Sequence, residues 1–473
     1  MVGHRRPQQY PFGAVQPAVP RTSASRLLAR IAQLIDFSVV GARVEPLFAR
    51  IGRPSIDPVV MVKMMLLGYL FGISTDRRLV DECADRLSFR EFLGYGVDEP
   101  LPVHSSFTHW RQRLGAEWFR ELLHEIVRQC EGHRIALSRA RTVDATTVKA
   151  QAGRNGPLVE APEGVDVEQY LEQLFGSDTP ALPPPDTPTI AVNTHDPEAR
   201  LQRKGEQERA QFGYTVSFSA DADNGLITDA TATDIERAGT AIEHVDEDPG
   251  EVDELAADAL YDAGETLEKL QERGVTPYIP RASRERAGQI SKDAFTYDQK
   301  RDVYICPQGA VLEHSRFHQR RRAHFYTARM RDCQSCPLKA RCTPAKRRSV
   351  SRLETEPARE AAVRSGFRYR YLQRRRRINE HLHRVGKRDH CLTRARSLGL
   401  EPMRIQAALT AIAIDLKKLV RLLDGPRPLA AALRIVGTTR RPAGAFALPL
   451  ICRLRSVLGR LWGPWGSPTS AGA

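Results

Sequence analysis

A single acidic side chain inside a cluster of arginines is the part of the sequence best suited to chemistry. Between positions 364 and 388 the chain has ten Lys or Arg residues and only one acid, Glu380. In a helix of 3.6 residues per turn, Arg376 and Lys387 project from the same face as Glu380. Nearby cations keep a carboxylate ionised. The pattern suits either a structural ion pair or a metal ligand beside a bound phosphate backbone.

Two further acids occupy positions where a carboxylate is costly. Asp144 lies in the middle of the predicted strand "TVDATTV", and Asp258 ends the apolar run "ELAAD". A carboxylate in an apolar strand requires a partner or a cation. Together with Glu380, these acids could hold two Mg²⁺ ions, which prefer oxygen ligands and clamp the attacking and leaving oxygens of a phosphodiester. For each acid taken alone, a strand-end or surface carboxylate is the alternative.

Four of the eight cysteines are grouped in a second pattern. Cys306 is followed by Cys333-x2-Cys336-x5-Cys342. Because the chain shows no export signal, this spacing favours a metal site or free thiols over disulfides. The group predicts a tetrahedral Zn²⁺ site, and a cluster of unbonded thiols is the alternative.

Charge and hydropathy limit the class of protein. With 71 Lys and Arg against 57 Asp and Glu, the formal charge of the 473 residues is +14, which favours a polyanionic partner, most simply nucleic acid. The most apolar run contains Lys63 and is shorter than a membrane span. It predicts a buried helix with Asp57 as N-cap and Pro58 at its first position. We expect a cytoplasmic protein with no membrane segment.

The first part of the chain is predicted to be helical. A polar tail occupies residues 1–24, and helical periodicity follows over 25–135. Ser74 or Thr75 can cap one helix that ends near Gly94, and Ser105 can cap another that exposes Arg111 and Arg113. Such a bundle is predicted either to bind DNA or to be an ordinary helical domain.

From residue 136 to 424 the pattern mixes strands and helices, which predicts an α/β class. Asn224-Gly225 is a hairpin signal between two alternating runs. Residues 151–205 are expected to form a linker or insertion, and residues 281–350 a Cys-rich insertion. Residues 425–473 carry seven Arg and no acid. This last segment is predicted to be a basic tail that either binds nucleic acid or is disordered.

Several segments resemble bacterial insertion-sequence transposases of the DDE superfamily. Residues 50–115 are closely similar to the InsH-type N-terminal domain of that family. The segments "VDATTVKA", "ADALYD" and "RRINEHLHRVGK" resemble those that carry its three catalytic acids, which correspond to Asp144, Asp258 and Glu380. The resemblance covers roughly residues 25 to 424. It implies a helical DNA-binding domain followed by a ribonuclease-H-like catalytic domain with insertions.

The same resemblance implies an activity and its partners. The three acids would bind Mg²⁺ or Mn²⁺, and Arg376, Lys387 and Tyr261 would lie against DNA. The enzyme would cleave the terminal inverted repeats of its own element and join the ends to target DNA, as a homodimer in the synaptic complex. Similar four-Cys segments occur in one subgroup. The alternatives are a catalytically inactive or domesticated DNA-binding protein, and a general nuclease of the same fold.

The sequence departs from the family pattern at two positions. Leu260 replaces the glycine usual before Tyr261, and it is expected to tighten or distort the turn beside Asp258. Gln373 replaces the tyrosine usual three residues before Arg376, and it is expected to weaken the contact with that arginine.

The cysteine spacing generates a first prediction. If the four thiols bind one structural Zn²⁺, Cys336→Ser should lower the thermal stability or solubility of the protein and leave the catalytic acids in place, because the metal contributes to folding. Elemental analysis of the purified protein measures the metal. An absence of zinc, together with folding that is insensitive to chelator, would contradict the prediction.

Overall fold

The computed structural model describes residues 3, 21–48, 55–152, 158–162, 165–176, 189–203, 209–234, 238–281 and 290–424. The predicted basic tail at 425–473 lies outside these residues, as do most of the N-terminal tail and of the Pro-rich stretch near 180–188. In the part that is described, no helix is both long enough and apolar enough to cross a membrane.

Six helices form the N-terminal region. Their bounds are α1 Ser23–Leu34, α2 Ser38–Val44, α3 Pro58–Leu70, α4 Asp76–Asp85, α5 Leu87–Leu93 and α6 Ser105–Gly132. As predicted, the Asp57 side chain caps α3 by accepting a hydrogen bond from Val59 N. The segment expected to form one helix after Thr75 forms two, because Arg86 adopts an extended conformation (φ −95°, ψ 110°) between α4 and α5.

The remaining helices lie between and after the strands. They are α7 Val167–Gly176, α8 Ala238–Asp246, α9 Gly264–Glu272, α10 Met330–Gln334, α11 Lys339–Cys342, α12 Glu356–Ala361, α13 Gly366–Arg375, α14 Arg377–Asp389 and α15 Leu400–Asp424. Short 3-10 helices include Ala259–Tyr261 and Gln319–Arg321. In α15, apolar residues at helical spacing, such as Ile405, Leu409 and Ile412, are buried against the main sheet and the N-terminal helices.

An eight-stranded sheet forms the centre of the molecule. Its strands are β1 Ala140–Lys149, β2 Leu158–Pro162, β3 Thr189–Asn193, β4 Asp196–Gln202, β5 Gln211–Asp221, β6 Ile227–Thr233, β7 Glu254–Ala256 and β8 Thr276–Tyr278. The order is β2-β3-β4-β5-β1-β7-β8, and β6 also pairs with β5. β5 is antiparallel to β1 and β6, whereas β7 and β8 continue the sheet in parallel. The predicted hairpin turn joins β5 to β6, with Gly225 at φ 71°.

Residues 151–205 contribute more to the fold than expected. β2, β3 and β4 extend the main sheet from β5, and Val192 and Ala199 are fully buried. The expectation of a linker is therefore wrong for the strands of this segment. The sequence concealed them because each strand is short and the Pro-rich stretch separates β2 from β3.

The Cys-rich region forms a second, antiparallel sheet. Its strands are β9 Thr296–Asp298, β10 Val303–Ile305, β11 Val311–His318, β12 Ala323–Ala328 and β13 Ser349–Leu353, in the order β13-β12-β11-β10-β9. Phe295, Tyr304, Leu312 and Tyr326 form a separate small core. We call this unit the insertion sheet.

A buried ion cluster joins the N-terminal helices to the main sheet. Asp229 of β6 is fully buried and accepts hydrogen bonds from Arg120 of α6 at 2.6 and 2.7 Å. His124 lies 3.1 Å from the same carboxylate, and His244 lies 2.6 Å from it. Burial alone would raise the pKa of Asp229, but the hydrogen bonds from these three side chains hold that pKa well below its usual range.

This cluster predicts a measurable loss of stability. Asp229→Asn removes the buried carboxylate that pairs with Arg120 and leaves that arginine only the partly exposed Glu243, so the free energy of unfolding at neutral pH should fall by about 3–5 kcal/mol. Because the folded-state pKa is lowered, the carboxylate stabilises the fold above its unfolded pKa of about 3.9, and this stabilisation is lost as the pH falls. Denaturant unfolding of both proteins from pH 7 downward should show the difference shrinking in acid.

Asp246→Asn is a matched control, since Asp246 pairs with Arg273 at the surface and exposed pairs contribute little. Equal losses for the two variants would show that the buried cluster does not stabilise the domain junction.

Candidate active site

The pairing of β1 with β7 brings two of the candidate acids together. The two strands are parallel, with Ala140 opposite Glu254 and Thr142 opposite Ala256. Continued in the same register, this pairing sets Asp258 opposite Asp144. β7 ends at Ala256, and the Asp258 carboxylate caps the following 3-10 helix by accepting a 2.9 Å hydrogen bond from Leu260 N.

Two neighbouring acids compete with Asp258 by sequence, and both have other roles. Asp253 forms a 2.9 Å ion pair with Arg139 at the opposite end of β7. Asp262 is only 6% exposed and forms a 2.9 Å ion pair with Arg364. These pairs favour Asp258 as the acid of this strand end that is available for a ligand.

Helix α14 lies alongside β1 and is joined to it by side-chain hydrogen bonds. Asn379 bonds to the carbonyl of Thr142, His383 to the carbonyl of Asp144, and Lys387 to Thr146 Oγ1 and Thr147 O. The distances are 2.7, 3.1, 2.7 and 2.8 Å. Four helical residues rise about 6 Å and two strand residues about 6.6 Å, so the contacts repeat along both elements. α14 therefore runs beside Asp144 in a fixed register.

Glu380 lies on the exposed side of α14, next to the buried Asn379. Ile378, Leu382 and Val385, at positions i, i+4 and i+7, form an apolar stripe that faces the core: Leu382 is 3% exposed, and Ile378 and Val385 pack against the core. Lys387, predicted to contact DNA, donates at least two hydrogen bonds to β1 and so also holds the helix in place.

The three carboxylates are a suitable donor set for Mg²⁺, which favours oxygen ligands. Among the residues that the structure describes, however, no three His, Cys, Asp or Glu side chains approach closely enough to hold an ion as they stand. The fold does bring together the three elements that carry these acids, which are β1, the end of β7 and α14.

Tyr261 reaches the candidate site from inside the protein. It is fully buried, and its hydroxyl lies 3.5 Å from Ser217 Oγ. Burial raises the pKa of Tyr261 to about 12, and the charges of Asp144 and Asp258 add to the rise. A side chain buried to this extent does not contact DNA, so the expected DNA contact is wrong for this conformation. Tyr261 therefore lies inside the protein, close enough to Asp144 and Asp258 for their charges to act on its hydroxyl.

A buried chain of hydrogen bonds, which no sequence pattern predicted, continues from Tyr261. Ser217 Oγ donates to the carbonyl of Asp144 at 3.4 Å. His244 lies between Ser217, at 2.9 Å, and Asp229, at 2.6 Å. Ser217, His244 and Asp229 come from β5, α8 and β6, respectively. Because they belong to three different elements, their hydrogen bonds are visible only in the folded structure. The chain links the ion cluster at the domain junction to the backbone of the candidate site.

The two departures from the family pattern are accommodated. Gln373 Nε2 donates to Tyr278 O at 2.6 Å and to Ala257 O at 3.2 Å, and Gln373 Oε1 accepts from Arg376 Nε at 3.4 Å. Leu260 lies in a 3-10 helix, outside the residues with positive φ, and is 62% exposed. The backbone at this position does not require glycine, so the expected distortion is not present.

The two arginines predicted on the N-terminal domain differ in exposure. Arg111 is held in a bidentate ion pair with Asp76, and its side chain is 16% exposed. The expectation that it is exposed is wrong, because Asp76 lies in the first turn of the neighbouring α4. Arg113 is exposed, with its guanidinium 4.7 Å from the centre of the Phe48 ring.

The four cysteines predicted to bind zinc are free thiols, of which Cys306, Cys333 and Cys342 pack against the small core of the insertion sheet. Cys306 Sγ accepts a 3.2 Å hydrogen bond from Ala310 N. Burial raises the pKa of Cys342, and the neighbouring thiols Cys333, Cys336 and Cys306 raise it further, against the effect of Arg348. Zinc binding at this group stays a prediction.

Comparisons with known proteins address the family. Residues 16–113 match the family described as "Transposase domain (DUF772)", and residues 305–420 match the family "Transposase DDE domain". These two matches support an insertion-sequence DDE transposase. No curated relative matches it.

Among solved structures, the chain is similar to a piggyBac transposase synaptic complex with hairpin DNA. The identity is 10% and the TM-score 0.33, over 94% of this chain and 86% of that chain. A likeness at this level bears on neither the fold nor the function of the present chain.

The contacts of Gln373 predict the effect of an isosteric change. Gln373→Glu removes the donor for the carbonyls of Ala257 and Tyr278 and sets a carboxylate against them. The loss should lower the free energy of unfolding by about 1–3 kcal/mol and displace the strand end that carries Asp258. DNA cleavage should therefore fall more than the folded fraction does.

Gln299→Glu, at an exposed position in the turn after β9, makes the same chemical change away from the site. If both variants cleave DNA alike, Gln373 does not position the strand end.

Proposed function

We propose that this transposase cleaves DNA at the terminal inverted repeats of its own insertion sequence and joins the ends to target DNA, with Asp144, Asp258 and Glu380 as its catalytic acids. The observation that carries the proposal is the fixed register of three elements. If the register of β7 with β1 is extended two residues past the end of β7, Asp258 is level with Asp144, and the bonds of α14 to β1 hold the helix that carries the exposed Glu380.

The topology also favours this assignment. Three antiparallel strands, β6-β5-β1, are followed by β7 and β8 in parallel, which is the arrangement expected of a ribonuclease-H-like catalytic domain. In that reading the first two acids come from adjacent parallel strands and the third from a helix packed beside them.

Divalent metal ions, Mg²⁺ or Mn²⁺, held by the three carboxylates would supply an activated water and stabilise the leaving oxygen of a phosphodiester. The protein's own groups do the positioning. Asn379 and His383 hold α14 against β1, and Gln373 joins Arg376 to the strand end beside Asp258.

The arginines around Glu380 suit the phosphate backbone of DNA. Arg374, Arg377 and Arg384 are exposed on α13 and α14, and Arg376 lies between the two helices as the N-cap of α14. Contacts of this type fix the position of a duplex and carry no sequence information. Recognition of the inverted repeat would then belong to the N-terminal helices, including the exposed Arg113.

The full proposal includes a homodimer that holds two element ends, and a cytoplasmic location. The second candidate is a DNA-binding protein without catalysis, either inactive or domesticated. The adjacency of the three elements that carry the acids supports the catalytic alternative.

The catalytic reading predicts a separation of binding from cleavage. Glu380→Gln keeps the size of the side chain and removes one negative ligand, so Mg²⁺-dependent cleavage of duplex DNA from the borders of the reading frame should be lost while binding persists. Because the three acids act as a unit, adding Asp144→Asn should make the loss little worse. Gel assays of nicking and of binding, with and without Mg²⁺, measure both properties.

Glu272→Gln makes the same change at an exposed position at the end of α9 and should leave cleavage unaffected. A Glu380→Gln protein that cleaves at the wild-type rate would favour the alternative of a DNA-binding protein without catalysis. Wild-type cleavage of DNA lacking the repeat, at an equal rate, would favour a general nuclease.

A further inference from the structure

Two clefts border the candidate acids, and both are lined by arginine. Cleft A, of about 580 Å³, lies between residues 259–265, which directly follow Asp258, and the tip of the insertion sheet at Arg320–Arg322. Cleft B, of about 650 Å³, lies between the end of α14, including Lys387, and the N-terminal helices, including Thr75 and Arg111. The first is made by the catalytic core and its insertion, and the second joins the core to the N-terminal region.

The clefts are lined by different elements near the candidate acids. Cleft A adjoins residues that directly follow Asp258. Cleft B includes Gln151 and Arg394, and Arg394 pairs with Lys149 at the end of β1. Lys149 is five residues beyond Asp144, about 16 Å along the strand. A duplex that reaches both clefts would therefore pass close to the candidate acids.

The partner of each cleft follows from its walls. Cleft B includes residues of the N-terminal helices, which are assigned to the element end under the proposed function. The lining of cleft A includes no residue of those helices, so DNA there extends away from the element end. We propose that cleft A binds the donor DNA that flanks the element, through phosphate contacts of Arg320 and Arg321. This inference rests on the proposed function.

The tip of the insertion sheet is built to present these two side chains. Arg320 and Arg321 are exposed, and neither forms an ion pair with another described residue. They lie in a short 3-10 helix whose N-cap, His318, accepts a hydrogen bond from Arg321 N. The next residue, Arg322, is anchored to Glu354 by a 2.6 Å ion pair and a 3.1 Å backbone hydrogen bond. The anchored turn keeps two unpaired cations at the edge of the cleft.

The opposite wall of cleft A carries an acid as well as apolar surface. Glu265 is exposed there, so the phosphate contacts are assigned to the wall formed by Arg320 and Arg321. Leu260 lines cleft A and is 62% exposed, so it offers apolar contact to the sugar or base edge of a nucleotide. Flanking DNA differs from one insertion to the next, and phosphate contacts are independent of sequence. Cleft A would therefore stabilise any flank.

The test compares two duplexes that carry the same end of the DNA bordering the reading frame, one blunt at the terminus and one with a flank of about ten base pairs, one helical turn. Affinities are measured without divalent metal, so cleavage does not interfere. Each phosphate contact contributes about 0.9 to the slope of log affinity against log salt. The wild type should show a slope on the flanked duplex steeper by about two units.

The double variant Arg320→Ala, Arg321→Ala should lose this difference and bind the blunt duplex as the wild type does. Arg394→Ala, in cleft B, should lower the slope on both duplexes. The matched control is Lys346→Ala, Arg347→Ala, which removes two exposed cations before β13, at the opposite end of the insertion sheet. This control should keep the difference.

Two results overturn the inference. One is a wild type with equal slopes on the two duplexes, and the other is an Arg320, Arg321 double variant that retains the wild-type difference. Neither depends on cleavage, so they are distinct from failure of the proposed function, which appears as Glu380→Gln cleaving normally or as wild-type protein that binds neither duplex.

Discussion

The bonding of α14 to β1 is the contact on which the candidate site depends. Strand β1 supplies Asp144 and aligns Asp258 through β7, but no strand carries Glu380. Its position is set by the packing of α14 against the core and by the side chains that α14 extends to β1. Asn379 is fully buried where it bonds to Thr142, and His383 both bonds to Asp144 O and stacks on Phe218, with ring centres 4.8 Å apart. Phe218 is the cross-strand neighbour of Asp144.

The register of this contact leaves little freedom. The bonding residues recur every fourth position of the helix and every second position of the strand, at nearly equal spacing. Sliding the helix by one residue would turn it by about 100° and remove the buried Asn379 from its carbonyl partner. An unpaired buried amide is costly, so the same bonds that hold the helix also fix the direction in which Glu380 points. Stability and catalytic geometry are therefore joined in one set of contacts.

Sequence patterns predicted the elements better than their connections. The hairpin at Gly225, the cap of α3 and the apolar stripe of α14 were evident because each depends on residues close together in the chain. The two helices separated at Arg86 and the strands in 151–205 were missed, since short elements carry little periodicity. The acids themselves came from resemblance to a family. Gln373, Asn379 and His383 could not be identified, because their partners lie about 100 to 240 residues away and no local pattern marks them.

The chain's positive charge serves two purposes, and burial separates them. Arg141 and Arg120 are largely buried against Asp248 and Asp229, and Arg364 is held by Asp262; these cations stabilise the fold and are not available to DNA. Arg111 belongs with them, although its sequence position suggested a DNA contact. The cations left without ion pairs in the described structure, such as Arg320, Arg321 and Arg394, lie at the clefts beside the acids. The net charge of +14 is therefore not spread evenly, because the buried cations are paired with acids while these exposed ones are not, and this concentrates positive charge at the clefts. Such focusing raises the local concentration of a polyanion where the bond would be cut.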